Sequence, residues 1–146
     1  MDIKTTRFGT LAIEADDILD FPAGMLGLEG CRQWVLLADA QNDVLGWLQS
    51  TSQPEVALAV VSPRRFVPDY QVRVARSELA PLAMEETRQA KVLVIVGKNE
   101  HSITLNLRAP LVINLRRRVG RQVITNSDHA VQHELTRENQ PLKKSA

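Results

Sequence analysis

Residues 103–124 read ITLNLRAPLVINLRRRVGRQVI, and their first thirteen positions carry the most regular pattern in the chain. Ile103, Leu105, Leu107, Ala109, Leu111, Ile113 and Leu115 occupy every second place, the period of a β-strand and not of a helix. A straight strand of that length spans roughly 43 Å, whereas a domain of this size has a radius of gyration of about 15 Å. The strand must therefore bend. Pro110 has no N–H and forces the preceding residue toward extended angles, so Ala109-Pro110 is the predicted bend or bulge. A strand that wraps in this way implies a barrel-like or folded-over sheet. Val119-Gly120 then reads as a turn, with residues 121–125 returning as an antiparallel partner.

The 146 residues suit one domain that buries roughly 68 per cent of its unfolded surface. Residues 1–135 are predicted to form that single β-barrel-like domain, and 136–146 (TRENQPLKKSA) a flexible tail with no apolar face. Eighteen basic and seventeen acidic residues leave a net charge of +1, so no overall field favours nucleic acid or a membrane surface. The lone Cys31 excludes an internal disulfide. The charged start MDIKTTRFGT lacks the apolar segment of a signal peptide, and runs such as residues 92–96 fall far short of the ~20 residues that span a bilayer. These features predict a cytoplasmic protein.

Around the long strand the chain reads as an all-β, mainly antiparallel fold with one short helix. Residues 3–15 form a hairpin turning at Phe8-Gly9, and the acidic stretch Asp16, Asp17 and Asp20 ends its pattern. FPAGMLGLEG at 21–30 is a structured loop. Its glycine spacing matches neither dinucleotide nor phosphate loops. Segments 33–38, 44–50 and 56–62 form a three-strand meander carrying Trp34 and Trp47. SPRRFVPDY at 62–70 runs over the surface with Phe66 and Tyr70 available for contact. Residues 71–75 alternate as a strand, Ser77 caps a helix over 77–87, 91–98 is a strand, and 99–102 is the turn into the long strand.

No catalytic constellation emerges from the chain. His129 and His133 have helical spacing, but the residues between them are Ala130, Val131 and Gln132, so the zinc-protease pattern fails and no metal site is assigned. Cys31 and the serines lack a nucleophile motif, and no cofactor fingerprint is present. The arginine group Arg108, Arg116, Arg117, Arg118 and Arg121 fits a solvated hairpin tip, an acidic protein partner or phosphates. No aromatic is interleaved with it, so the stacking platform of single-stranded RNA binders is missing.

The sequence also resembles a known family. FPAGMLGLEG, WLQS at 47–50, AVVSPRRFVPDY at 59–70 and NLRAPLVINLRRRVGRQVI at 106–124 resemble, in order and spacing, the FliW family of flagellar assembly factors, with the last block the most specific. The resemblance implies a small, mostly antiparallel barrel-like protein without enzymatic activity; a monomer is expected for the protein alone. Such proteins bind the RNA-binding translational repressor CsrA and relieve its repression of flagellin synthesis; they also bind flagellin, which competes for them. The alternative expectation is direct RNA binding through the 116–121 hairpin. For partner docking, the bend and the aromatic loop suggest a surface of Phe66, Asp69, Tyr70, Asn106, Arg108 and Pro110, where imperfectly paired backbone near Asn106 and Arg108 accepts hydrogen bonds from another chain and Tyr70 anchors it.

Overall fold

The computed structural model describes residues 1–135; the tail at 136–146, expected to be flexible, lies outside the described residues. Strands β1 (Asp2–Thr5) and β2 (Gly9–Ala12) form the predicted hairpin. Gly9 takes φ 72°, the left-handed region that glycine enters without steric cost. The Thr5 hydroxyl donates to the Gly9 carbonyl at 2.7 Å and accepts from the Phe8 amide at 2.8 Å. Ile3 and Ile13 pack on Val35, so the hairpin covers the barrel wall instead of joining it.

The barrel begins with β3 (Ile18–Asp20), a strand that the acidic composition of 16–20 concealed, and proceeds through β4 (Gln33–Ala38), β5 (Gly46–Ser50), β6 (Ala57–Val61) and β7 (Ala90–Lys98), each antiparallel to the last. There follow β8 (Ile103–Leu105), β9 (Leu111–Asn114), β10 (Val119–Gln122) and the two-residue β11 (His133–Glu134). Because β7 pairs with β6 on one edge and β9 on the other, and β9–β10–β3 completes the circuit, seven strands close into a barrel. The all-β, mainly antiparallel, barrel-like architecture with one short helix is the one found. Closure at β10–β3 is parallel and rests on a single pair, Val119 with Asp20. The Asp20 amide donates to the Arg118 carbonyl at 2.9 Å, but the next donor in a parallel ladder falls on Pro22, which has none.

The long periodic stretch is two strands, not one. Leu105 pairs with Val96 and Leu111 with Leu93, so five residues, 106–110, stand opposite two, Val94 and Ile95. Pro110 lies at the end of this outsized bulge, where the bend was predicted. The excess of three residues is odd, and an odd shift exchanges the faces of a sheet. Leu105 and Leu107 therefore join Val94, Val61, Phe66, Tyr70 and Leu135 in one hydrophobic cluster, whereas Leu111 and Ile113 join Leu93, Val60, Phe21 and Trp34 in the barrel interior. A single sequence stripe feeds two cores. In β9 the even positions are buried as well: Val112 packs with Leu82 and Val123 beneath the 76–88 segment, and the Asn114 amide donates to the Leu82 carbonyl at 2.9 Å.

Several local expectations are corrected. Val119-Gly120 lies inside β10, and the turn is residues 115–118, where Arg118 takes φ 55°. Glycine at 120 answers packing: a Cβ there would sit 2.5 Å from the Phe21 ring. The predicted helix over 77–87 is only α1 (Arg76–Leu79), with Ala75 instead of Ser77 at its N-cap position and no side-chain cap, followed by a 3-10 turn at Ala80–Leu82 and a left-handed Ala83. Pro81 explains the early stop, since its ring clashes with the carbonyl four residues back in a continuing α-helix. Residues 71–75 form no strand; the Arg73 amide donates to the Thr125 hydroxyl at 2.9 Å, and the Asn126 amide to the Arg73 carbonyl at 2.6 Å. His133 lies in β11, so the helical spacing of His129 and His133 is not realised. No helix among the described residues is long and apolar enough to cross a membrane.

Candidate functional site

Residues 62–70 leave β6 through a 3-10 turn at Pro63–Arg65, where proline stands at the start and presets φ. The Phe66 and Val67 amides both donate to the Pro63 carbonyl, at 3.0 and 2.8 Å, and the Tyr70 amide to the Val67 carbonyl at 3.0 Å. This compact loop stands against the 106–110 bulge. The Tyr70 hydroxyl donates to the Leu107 carbonyl at 2.6 Å, and the Arg64 Nε donates to the Tyr70 carbonyl at 2.9 Å. Loop and bend are thus neighbours, as the predicted surface required.

The aromatics, however, point inward. Phe66 is 5 % exposed and Tyr70 2 %, and the Tyr70 ring lies 4.7 Å from that of His129. The bulge explains this. Five residues leaving the ladder free the Leu107 carbonyl to accept from a side chain, and a buried tyrosine needs such an acceptor. Burial also holds the Tyr70 phenol up at about 12 against an ordinary 10.0.

Much of the bulge backbone is paired within the chain, though no bond is made by the Arg108 amide or the Asn106 carbonyl among the described residues. The Asn106 amide donates to the Ile95 carbonyl at 3.0 Å, Leu107 to Ala130 at 3.1 Å, Thr125 to Arg108 at 2.9 Å and Val123 to Pro110 at 3.0 Å. The Asn106 Oδ1 accepts from the Ala109 amide at 3.1 Å, which makes Asn106 the internal brace of the bulge. Pro110 is buried and Asn106 half-buried, while Asp69 and Arg108 are exposed. Of the six residues expected to meet a partner, these last two present opposite charges outward; Phe66, Tyr70, Asn106 and Pro110 shape what lies beneath.

The arginine hairpin is partly engaged. Arg118 donates to the Asp17 carbonyl at 3.0 Å, and Arg121 to the Glu78 carbonyl at 2.9 Å with its carboxylate 3.4 Å away. Arg116 and Arg117 remain exposed at the tip, their amides held by the Asn114 Oδ1 at 3.1 and 3.4 Å. Cys31 is buried in the barrel core.

Two depressions mark the surface of the described residues. One, of about 550 Å³, lies over the parallel seam and includes Asp20, Arg32, Thr51 and Val119. The other, of about 740 Å³, opens between the 62–72 loop and the 76–88 segment. Sequence reading missed this second depression because a regular strand and helix were expected there; the spaced apolar residues Val72, Leu79 and Met84 were the available signal.

Comparison with known proteins agrees with this geometry. The family model described as FliW protein matches residues 2–135. The flagellar assembly factor FliW of Natranaerobius thermophilus is 32% identical over 139 residues, covering 92% of each chain. That of Leptospira interrogans (serovar Copenhageni) is 31% identical over 139 residues, covering 92% of this chain and 93% of the relative. A solved structure of the flagellar assembly factor FliW superposes with a TM-score of 0.85 at 29% identity, covering 94% of this chain and 99% of that one. With a family model spanning the barrel, relatives matched nearly end to end and the same barrel in a solved structure, the chain belongs to the FliW family of flagellar assembly factors.

Proposed function

We propose that this chain is a non-enzymatic cytoplasmic regulator of flagellum assembly that works by partner exchange. It binds the repressor CsrA and so relieves repression of flagellin synthesis, and it binds flagellin, whose accumulation displaces CsrA. Family membership carries this reading. Two exposed charges support a surface for contact. Asp69 and Arg108 stand exposed on the loop and bulge that the Tyr70 hydroxyl ties together, where they offer a partner charges of opposite sign. Charge pairs of this kind select a partner and set its register.

Calorimetric titration with purified CsrA and with purified flagellin tests it. Both bind the unmodified protein, flagellin competes with CsrA, and Asp69→Lys or Arg108→Glu weakens at least one of them by about 1–2 kcal/mol, roughly five- to thirtyfold in Kd. If neither partner binds, the exchange reading fails; unchanged affinity of both variants for both partners removes this surface alone.

Direct RNA binding is the competing reading, and it rests on the exposed Arg116 and Arg117. Two of the five arginines already have protein partners. Gel shifts with mixed-sequence RNA separate the two readings. Tight binding that vanishes on Arg116→Glu with Arg117→Glu, and that falls with salt at a slope of about −0.7 per neutralised phosphate, replaces the exchange reading.

A further inference from the structure

The cleft of about 740 Å³ beside the 62–72 loop has the size of a ligand site and a distinct composition. Its floor is the outer face of β7 and β9, Val92 and Val112, and Leu79 and Met84 from the 76–88 segment form one wall. Arg64 and Arg88 line it, and its lining holds no carboxylate. Arg64 spends only its Nε on the Tyr70 carbonyl. Arg88 meets Glu86 in a pair whose side chains are 85% and 54% exposed, an arrangement that contributes little and yields readily to competition.

We propose that this cleft receives a short segment of a partner protein whose apolar side chains lie on the half-buried Val92, Leu79 and Met84 and whose flanking carboxylates meet Arg64 and Arg88. Charge decides among the occupants. The chain's own segment 136–146 carries Arg137, Lys143 and Lys144 against Glu138, with Leu142 its only large apolar residue, so it has the same sign as the cleft. A second copy docked symmetrically sets Arg64 and Arg88 against their own equivalents. Nucleic acid satisfies the arginines but gains nothing from an apolar floor. A peptide with acidic ends and an apolar middle satisfies both features. The proposal does not depend on which protein supplies the peptide, and it stands or falls apart from the exchange reading.

The test is affinity selection from two heptapeptide libraries, one with Glu fixed at both ends and one with Lys, each varying Leu, Ile, Val, Met and Phe between. Peptides retained by the full chain are then measured by fluorescence anisotropy. Acidic peptides are retained, lysine peptides bind at least tenfold more weakly, and Met84→Asp or Arg64→Glu with Arg88→Glu weakens the acidic peptides at least tenfold. Arg88→Glu alone, at a side chain 85% exposed, decides the matter if the other variants lose their thermal transition. Retention of neither library, equal retention of both, or unchanged affinity in Arg88→Glu overturns the proposal. So does binding that appears only after removal of 136–146, which identifies that segment as the occupant, or a dimer in sedimentation that Met84→Asp dissociates, which identifies a second copy.

Discussion

Tyr70 shows how one residue joins two irregular segments. Its backbone belongs to the loop after β6, its hydroxyl reaches the Leu107 carbonyl at 2.6 Å, and its ring fills space that the bulge opens beside Val94 and Leu105. Tyr70→Phe keeps the ring and leaves a carbonyl unsatisfied, which costs about 1–3 kcal/mol; urea midpoints near neutral pH measure it. The phenol adds a pH signature. Its folded pKa, about 12, lies above the ordinary 10.0, so the folded state holds this proton more tightly than the unfolded chain. The resulting stability is fully present below pH 10.0 and is lost as pH rises through about 12. The unmodified protein weakens across that window while Tyr70→Phe loses less of its own stability there, and parallel alkaline slopes for the two would show that the phenol is not desolvated. Burial and the bond to the Leu107 carbonyl tie Tyr70 to the fold and not to a docking surface.

Among the elements, what the sequence made legible was side-chain direction, and what it hid was tertiary pairing. The alternation from Ile103 to Leu115 correctly marks Leu105, Leu107, Ala109, Leu111 and Ile113 as buried, because period two is a local property of extended backbone, and it fails at Leu115, 37% exposed where the strand has already given way to the 115–118 turn. That stripe divides between two cores because of an odd excess of residues against β7, which no pattern within 103–115 contains. Gly120 looked like a turn because glycine often is one; its packing against Phe21 links positions far apart in the chain. Of the docking residues, neither the contact of loop and bulge nor the burial of Phe66 and Tyr70 was legible, since both depend on tertiary packing and the cavity behind them. The two-core arrangement makes a specific claim about Leu107→Ala and Ile113→Ala, which remove side chains 1% and 0% exposed. Each costs about 2–5 kcal/mol. Since the residues sit in different clusters, the double variant loses the sum of the two within about 0.5 kcal/mol. Denaturant midpoints of the three variants check it; a coupling larger than that margin would place both side chains in one core.

At the scale of the molecule, the barrel is unevenly closed. The β4–β5 contact runs over five register pairs and β7–β9 over four, whereas β10–β3 has one, with Pro22 denying the ladder its next donor. Contacts made by side chains hold this seam more than the backbone ladder does: Phe21 packs over Gly120, Leu26 donates its amide to the Gln122 side chain at 2.8 Å, and Arg118 reaches the Asp17 carbonyl. Local opening follows regions with few cooperative backbone bonds. Separating β10 from β3 breaks one short ladder while leaving β4, β5 and β6 in register, so it requires much less free energy than disrupting the middle of the meander. The Asp20 amide, bonded across the seam to Arg118, should therefore exchange with solvent at least tenfold faster than that of Leu48, which pairs with Leu36 on one side and Leu58 on the other. Tenfold is about 1.4 kcal/mol in opening free energy, well within the difference between one pair and several. Native-state hydrogen exchange followed by nuclear magnetic resonance reads both sites at once, and equal protection at Asp20 and Leu48 would mean that Phe21 and Arg118 lock the seam as firmly as a full ladder locks the meander.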